Sequence, residues 1–307
     1  MSTVALTASR PSRKRWTRGG VLRKIFPYLL LLPNMAIFAT FTIYPAFNGF
    51  NMSLYESRNG RTFRWVGLGN YQRIFADPDF WTAVRNTVGY AVGFVLLGLV
   101  VAIVLAVLVN GQGRGKTFFR AVFFIPVLVS PVVVGLIWNW MLDRENGLVN
   151  SALSLVGGPE IPWLVKGPWA MVAIILVGVW MQSGFYLLIL LAGLQAIDPA
   201  IYEASRIDGA GGFRQFWSIT LPLLMPSVVV VVVLATIHGF QSFDFIWTLT
   251  GGGPLNATLL LVQYIYQNGF MSPISYGLAT AGGVILFVVV LLLTLVNWMV
   301  ARRQEAV

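Results

Sequence analysis

The sequence has no cysteine, a single histidine and few charged side chains. Without cysteine, the 307-residue chain can form no disulfide, no catalytic thiol and no thiolate metal site. With one histidine, it can build no metal site from two or more histidine ligands. Charged residues make up 10% of the chain and hydrophobic residues 57%, whereas a soluble domain carries about 25% charged residues. This composition predicts an all-α polytopic membrane protein.

Six apolar stretches are long enough to cross a bilayer, which takes about 20 residues for a helix. The predicted transmembrane helices are 27–50, 86–109, 120–142, 168–193, 221–245 and 277–300. They divide the chain into a basic tail over 1–26, a six-helix transmembrane domain over 27–300 and a short tail over 301–307. The first apolar stretch is too long for a signal peptide, and no small-residue cleavage site follows it.

Lysine and arginine predict the orientation of these helices. Fourteen of them fall on the side that holds both termini, and seven fall on the other side. Because cytoplasmic loops carry an excess of basic residues, both termini and the loop at 194–220 are predicted to be cytoplasmic. The net charge of +10 follows from this asymmetry and from attraction to anionic lipid at the inner leaflet. Membrane lipid is therefore an expected partner, and nucleic acid is not.

A glycine-rich turn, residues 111–117, looks like a phosphate-binding loop but departs from the motif. The motif needs a glycine at the position occupied here by Asn110, four intervening residues before Gly115-Lys116-Thr117. It also needs a preceding buried strand, whereas this turn joins two predicted transmembrane helices. The turn is interpreted as a flexible basic connection, and no catalytic site for ATP hydrolysis is predicted in the chain.

Ionisable side chains inside a transmembrane helix cost about 2.5–3.5 kcal/mol on insertion scales and therefore mark functional positions. The interiors of the predicted helices contain His238, and Asp244 lies near the outer end of the fifth. They offer no lysine, arginine or glutamate for a proton or sodium relay, which argues against ion-driven transport. If the chain moves a solute, the energy has to arrive through contact with another protein. His238 is interpreted as an interior histidine that needs one hydrogen-bond partner.

The outer end of the fifth predicted helix mixes an amide, a hydroxyl, a carboxylate and an indole, in Gln241, Ser242, Asp244 and Trp247. This mixture suits a sugar, whose hydroxyls need donors and acceptors and whose C–H faces need aromatic surface. Asp244 is equally consistent with a residue that caps its own helix end. The candidate solute-binding residues are polar side chains in otherwise apolar helices: Asp244, Gln241, Asn139, Gln182 and Tyr186.

The polar loop at 194–220 contains signals for a short helix. Asp198 and Pro199 are typical of a helix start, because aspartate caps free N–H groups and proline fits the first helical position. The predicted helix covers about 200–208. Gly209 can end it in a left-handed turn, a conformation that glycine adopts readily.

A second short helix is predicted over about 213–220, after which Pro222 starts the fifth transmembrane helix. The loop carries large side chains on the predicted cytoplasmic side: Tyr202, Phe213, Phe216 and Trp217. They indicate either packing on the membrane surface or a docking element for another protein. The two-helix elbow favours the docking element.

At these residues the sequence resembles the permease subunits of binding-protein-dependent ABC importers. The family pattern is Glu-Ala-Ala, three residues, Gly, nine residues and Ile-x-Leu-Pro, and the matching positions are Glu203, Ala204, Gly209, Ile219, Leu221 and Pro222. Ser205 replaces the second alanine of the pattern. A second stretch, from Phe243-Asp244 to Thr250-Gly251-Gly252-Gly253-Pro254, is similar to the signature of the MalF-like sugar permeases. Further similarity extends through 28–45 and 67–71.

The resemblance implies a type I ABC importer permease fold of six transmembrane helices in the bacterial cytoplasmic membrane. It implies four partners: a second, usually non-identical permease subunit, two cytoplasmic ATPases and an extracytoplasmic solute-binding protein. ATP and Mg would be bound by the ATPases, so this chain is expected to carry no cofactor and no metal of its own. The residues that the resemblance assigns to ATPase coupling are Glu203, Ala204, Ser205, Asp208, Gly209, Ala210, Leu221 and Pro222.

The leading hypothesis is a permease subunit for a sugar, in particular a di- or oligosaccharide. An alternative is a permease for glycerol-3-phosphate or another polyol, although the predicted helix interiors contain no cation for a dianionic solute. A membrane-embedded transferase would need paired carboxylates or a metal cluster, and the pair Asp77 and Asp79 flanks Pro78 as in a turn. A purely structural membrane partner would not need the docking loop. The chain is therefore not expected to be an enzyme.

Overall fold

A computed structural model describes residues 18–110 and 115–305 of the chain. Most of the predicted basic tail over 1–26 lies outside the described residues. So do residues 111–114 of the glycine-rich turn and the last two residues of the predicted tail over 301–307. The described part is mostly helical.

The first of two compact units covers residues 1–51. Its described part begins with α1, Arg18–Phe38, and a five-residue π-turn, Ala39–Ile43. Helix α2, Tyr44–Met52, follows directly. The apolar part, Phe26–Met52, is long enough to cross a membrane, in agreement with the first predicted transmembrane helix.

The second unit, residues 52–307, combines helices with a two-stranded hairpin. Strands β1, Tyr55–Glu56, and β2, Arg64–Trp65, pair antiparallel. The helices are α3, Gly69–Ala76; α4, Pro78–Val109; α5, Lys116–Leu128; α6, Pro131–Met141; α7, Leu148–Leu155; α8, Gly167–Gln195; α9, Pro199–Ile207; α10, Gly212–Gln215; α11, Leu221–Gln241; α12, Asp244–Thr250; α13, Leu261–Phe270; and α14, Tyr276–Glu305.

Five helical segments in the described residues are long and apolar enough to cross a membrane, and a bent pair makes six if it counts as one span. The single segments are Phe26–Met52, Pro78–Val109, Gly167–Gln195, Gly212–Gln241 and Tyr276–Met299, and the bent pair is α5 with α6. Five of the six predicted transmembrane helices are therefore confirmed as single helices. Their ends differ from the prediction where proline or a polar break intervenes.

The transmembrane helix predicted over 120–142 is not a single helix but the bent pair of α5 and α6. The chain bends by 98° between α5 and α6. Val129 and Ser130 are extended at the bend, with ψ angles of 137° and 129°. Pro131 explains the break, because its ring disfavours a helical conformation in the preceding residue and its nitrogen has no hydrogen to donate. Hydropathy does not register the bend, since both halves are apolar.

The short helix predicted over 213–220 and the transmembrane helix predicted over 221–245 are one continuous helix, Gly212–Gln241. A π-turn at Phe216–Thr220 lies just before Pro222. Proline inside a helix clashes with the carbonyl group four residues earlier, and the wider π-turn relieves that clash. The continuous helix ends four residues before the predicted end.

The second transmembrane helix, predicted over 86–109, begins eight residues earlier, at Pro78. Asp77, Pro78 and Asp79 form its first turn rather than a free turn of the outer loop. Oδ1 of Asp77 accepts a hydrogen bond of 2.9 Å from the amide of Asp79, and Pro78 occupies the first helical position. Both features are typical of helix starts, because the aspartate supplies an acceptor for an amide of the first turn and proline has no N–H that needs one.

Helices α4, α8 and α11 form the centre of the second unit. Their buried side chains include Tyr90, Phe94, Ile174, Leu190, Val231 and Ala235. Gly89 and Gly93 lie one turn apart in α4, and of the two only Gly93 faces a neighbouring helix. A Cβ atom on Gly93 would lie 2.7 Å from Cδ1 of Ile175 in α8, whereas one on Gly89 would have nothing within 4 Å.

Gly184 in α8 should tolerate no side chain. A Cβ atom there would collide with the carbonyl oxygen of Phe123 and lie 2.9 Å from Cα of Phe124, both in the backbone of α5. Overpacking of this kind costs about 1–3 kcal/mol or more, because backbone atoms cannot rotate away. Gly184→Val should therefore lower the thermal midpoint of the purified protein, followed by size-exclusion fluorescence. Gly89→Val is the control, and equal midpoints for the two variants would contradict this packing.

Candidate functional site

A cavity of about 210 Å³ lies between α4, α8, α11 and the start of α12. Its polar lining consists of Tyr90, Gln182, His238, Gln241, Ser242 and Asp244. The cavity depends on the break between α11 and α12. Ser242 is extended and Phe243 has φ −145°, so the chain changes direction there and brings residues from both helices to one space.

His238 is the centre of a hydrogen-bond network in this cavity. Its Nδ1 lies 2.9 Å from the hydroxyl oxygen of Tyr186 and 3.2 Å from Nε2 of Gln182. Both contacts involve Nδ1, and the tautomer of the ring decides which group donates in each. The interpretation of an interior histidine with a hydrogen-bond partner is confirmed. His238 lines the cavity but was not among the predicted solute-binding residues. Its position as a polar residue inside an apolar helix could have identified it.

Gln241 and Asp244 offer free polar groups to the cavity. Both are exposed, and in the described part of the chain neither side chain makes a hydrogen bond or an ion pair. The alternative interpretation of Asp244, as a cap for its own helix, is wrong. Phe243 occupies the capping position of α12, and no side chain accepts from the first amides of that helix.

The five predicted solute-binding residues separate into two groups. Gln182, Gln241 and Asp244 line the cavity. Tyr186 is fully buried behind His238 and reaches the cavity only through that ring. Asn139 does not line the cavity, and its Nδ2 donates to the carbonyl oxygen of Leu249 at 2.8 Å, which ties α6 to α12.

The loop at 194–220 contains the predicted helix, which is α9. Oδ1 of Asp198 accepts a hydrogen bond of 2.9 Å from the amide of Ala200, and Pro199 occupies the first helical position. The helix ends at Ile207, and Gly209 follows with φ +74°. The sequence signals for the start and the end of this helix are both confirmed.

Two side-chain hydrogen bonds fasten α9 to the base of the continuous helix Gly212–Gln241. The hydroxyl of buried Ser205 accepts from Nε2 of Gln215 at 2.9 Å and donates to the carbonyl oxygen of Tyr202 at 2.9 Å. The hydroxyl oxygens of Tyr202 and Thr220 lie 3.1 Å apart. Ser205, the departure from the family pattern, thus provides a connection that alanine would not make.

The outward face of α9 is free of such contacts. The exposed residues of the predicted coupling set are Glu203, Ala204, Asp208, Gly209 and Pro222, while Ser205 is buried and Ala210 and Leu221 are half-buried. Of the four large side chains of this loop, Tyr202 and Phe216 pack inward and Phe213 and Trp217 point outward. Phe213 is 80% exposed and Trp217 54%, so the loop presents an apolar surface.

One buried side chain, Asn70 of α3, holds the backbone at the start of the hairpin. Nδ2 of Asn70 donates to the carbonyl oxygens of Ser53 and Tyr55 at 2.8 and 2.9 Å. The hydrogen bond from Arg73 of α3 to Glu56 of β1, 2.7 Å long, holds the pKa of that carboxyl below its usual range. These contacts give the stretch at 67–71 a structural role.

Residues 81–305 match the family described as binding-protein-dependent transport system inner membrane component. The chain belongs to this family. It is therefore a permease component of ABC importers and a multi-pass protein of the inner membrane.

Two relatives cover nearly the whole permease. The trehalose/maltose transport system permease protein MalF of Thermococcus litoralis is 36% identical over 281 residues, which are 91% of this chain and 94% of the relative. The sn-glycerol-3-phosphate transport system permease protein UgpA of Agrobacterium fabrum is 34% identical over 275 residues, 88% of this chain and 92% of the relative. The permease is thus similar to transporters of both solutes.

A solved structure resembles the fold. It is a chain of the bacterial alginate ABC transporter in complex with alginate pentasaccharide-bound periplasmic protein. The TM-score is 0.80 at 26% identity, over 95% of this chain and 98% of that chain. An importer permease fold with five or six candidate membrane spans is therefore shown for this protein.

Substitutions at Asn139 and Gln241 should distinguish a residue that stabilises the fold from one that binds the solute. Asn139→Ala leaves the carbonyl oxygen of Leu249 without its partner and should destabilise the permease by about 1–3 kcal/mol, seen as a lower thermal midpoint. Gln241→Ala removes an exposed side chain and should leave the midpoint unchanged while it reduces solute-stimulated ATP hydrolysis by the assembled importer. A stable Asn139→Ala protein with the same loss of stimulation would contradict this division.

Proposed function

We propose that this permease transports a neutral sugar of two or more units through the cavity that holds Asp244. The two relatives do not distinguish a sugar from glycerol-3-phosphate as the solute. The permease for each solute is similar to this chain to about the same extent. The charge of the cavity supports the sugar. Among the described residues that line it, the acidic side chain is Asp244 and none is lysine or arginine.

The polar groups of the cavity suit sugar hydroxyls. Asp244 accepts hydrogen bonds, the ring nitrogens of His238 can donate or accept, and the amide of Gln241 both donates and accepts. A phosphate dianion would meet one carboxylate and no full positive charge, which is costly in a site of low dielectric. Asp244 is the observation that carries this proposal.

We also propose that the ATPase subunits bind α9 and transmit the energy of ATP hydrolysis to this permease through it. In the proposed orientation both termini and α9 are cytoplasmic. Two ATPase subunits that bind ATP and Mg would dock on the exposed face that includes Glu203, Gly209 and neighbouring residues. A second, non-identical permease subunit would complete the pathway, and an extracytoplasmic solute-binding protein would deliver the solute from the opposite side.

The continuous helix Gly212–Gln241 supports a mechanical route between the two sites. Its first turns are bonded to α9 through Gln215 and Thr220, and its last turns carry His238 and Gln241. Displacement of α9 by the ATPases would therefore move the base of a helix whose other end lines the cavity. No ionisable group along the helix is needed to drive the change.

The solute class is tested with the importer reconstituted with its partner permease, ATPase and solute-binding subunits. Maltose and trehalose are compared with sn-glycerol-3-phosphate as stimulants of ATP hydrolysis. Stimulation by a sugar and none by the phosphate is expected, because the cavity holds a carboxylate. Stimulation by sn-glycerol-3-phosphate alone would overturn the sugar assignment.

Coupling is tested at Gly209, whose φ of +74° is unfavourable for a β-branched residue by about 1–3 kcal/mol. Gly209→Val should abolish uptake while the protein still inserts, because the turn after α9 cannot keep its shape. Gly211→Val is the matched control, since Gly211 has φ −70° and open space around it. Normal uptake by the Gly209→Val variant, measured with a radiolabelled sugar, would remove the coupling role from this turn.

A further inference from the structure

Four aromatic rings form a continuous cluster beside the cavity. Phe243, which lines the cavity, lies 5.9 Å from Trp247 and 4.9 Å from Tyr266 between ring centroids. Trp247 and Tyr266 are 5.3 Å apart, edge to face, and Tyr266 stacks on Phe270 at 5.2 Å. The cluster therefore extends from the cavity along α12 and α13 to Phe270, which is 72% exposed.

Two polar groups of this cluster have no protein partner. Within residues 18–110 and 115–305, neither the indole N–H of Trp247 nor the hydroxyl of Tyr266 makes a hydrogen bond, and both side chains are half-buried. Tyr264, on the same helix α13, behaves differently, because its hydroxyl donates to Asp77 at 2.7 Å. Tyrosine and tryptophan normally use their polar atoms when they are buried, so the free groups are available to a ligand.

The size of the cavity also indicates that a solute uses contacts outside it. Its volume of about 210 Å³ is below the range of about 300–1,000 Å³ typical of ligand sites. A disaccharide bound at Asp244 would therefore extend beyond the cavity. The aromatic cluster is continuous with the cavity through Phe243, and it supplies flat apolar surface beside one free N–H and one free hydroxyl.

We propose that Trp247, Tyr266 and Phe270 form an outer sugar subsite. It takes one pyranose ring through its C–H face while the neighbouring ring of the same solute occupies the cavity at Asp244. The indole N–H and the phenol hydroxyl bond the hydroxyls at the rim of the outer ring. This inference rests on the proposed sugar function and deepens it, since glycerol-3-phosphate has no ring to stack.

The location fits a solute that enters from the side opposite the ATPases. Trp247 follows the end of the continuous helix Gly212–Gln241, whose 30 residues span about 45 Å at 1.5 Å per residue. Helix α9 contacts the other end of this helix. A sugar released at the outer face would reach the aromatic cluster before the cavity.

The test measures sugar binding to the importer assembled with its partner permease and ATPase subunits in nanodiscs, by saturation-transfer-difference NMR. Maltose and trehalose serve as two-ring probes and glucose as a one-ring probe. Tyr266→Leu and Trp247→Leu should each weaken disaccharide binding about threefold to tenfold, the range expected for the loss of one ring contact. Glucose, which needs only the cavity, should bind equally to the variants and the wild type.

Phe118→Leu is the control, because Phe118 is an exposed aromatic residue of α5 that also contacts a neighbouring ring. If either leucine variant fails to assemble, Phe270→Ala replaces it, since Phe270 is largely exposed. Unchanged disaccharide binding in the variants would overturn the outer subsite and leave the sugar function intact. Equal losses for glucose and disaccharides would show a general structural effect and would also overturn it. Absence of binding of all three sugars to the wild type would overturn the sugar function as well.

Discussion

The requirement that backbone polar groups find partners inside the protein governs this permease. In a bilayer no water is available to exposed N–H and C=O groups, so each break in a helix has to be compensated by side chains. Side chains donate to backbone carbonyl oxygens in the helices that flank the breaks. Ser242 donates to the carbonyl oxygen of His238 at 2.7 Å, and Asn139 donates to that of Leu249. The hydroxyl oxygen of Thr248 lies 3.3 Å from the carbonyl oxygen of Val132 and 3.1 Å from that of Asp244, so its single hydrogen can be donated to either.

The polar cavity is a consequence of these breaks. An uninterrupted α11 would leave Asp244 on the same straight helix as His238, with no space between α11 and α12. The turn at Ser242 and Phe243 opens that space, and the side chains that stabilise the turn are polar. The same local feature therefore satisfies the backbone and provides the groups that a sugar needs.

A single helix joins the two parts of the proposed mechanism. The π-turn at Phe216–Thr220 lets the helix continue past Pro222 without a break. Helix α9 is therefore bonded to a continuous helix that reaches the cavity. A break at Pro222 would have separated the two sites mechanically. Ser205, at a position where the family pattern has alanine, adds a bond to Gln215 at this junction.

The sequence by itself determined the class of fold, the number of apolar segments and the short helix in the loop at 194–220. These follow from local signals: residues per bilayer crossing, the Asp198-Pro199 helix start and the conformational freedom of Gly209. It also identified Gln182, Gln241 and Asp244, because polar residues are rare in apolar helices. Tertiary structure alone decided the 98° bend, the role of Asn139 in packing and the meeting of Phe243, Trp247 and Tyr266. The physical reason is that hydropathy records composition, whereas direction and contact depend on the partners each segment finds across the fold.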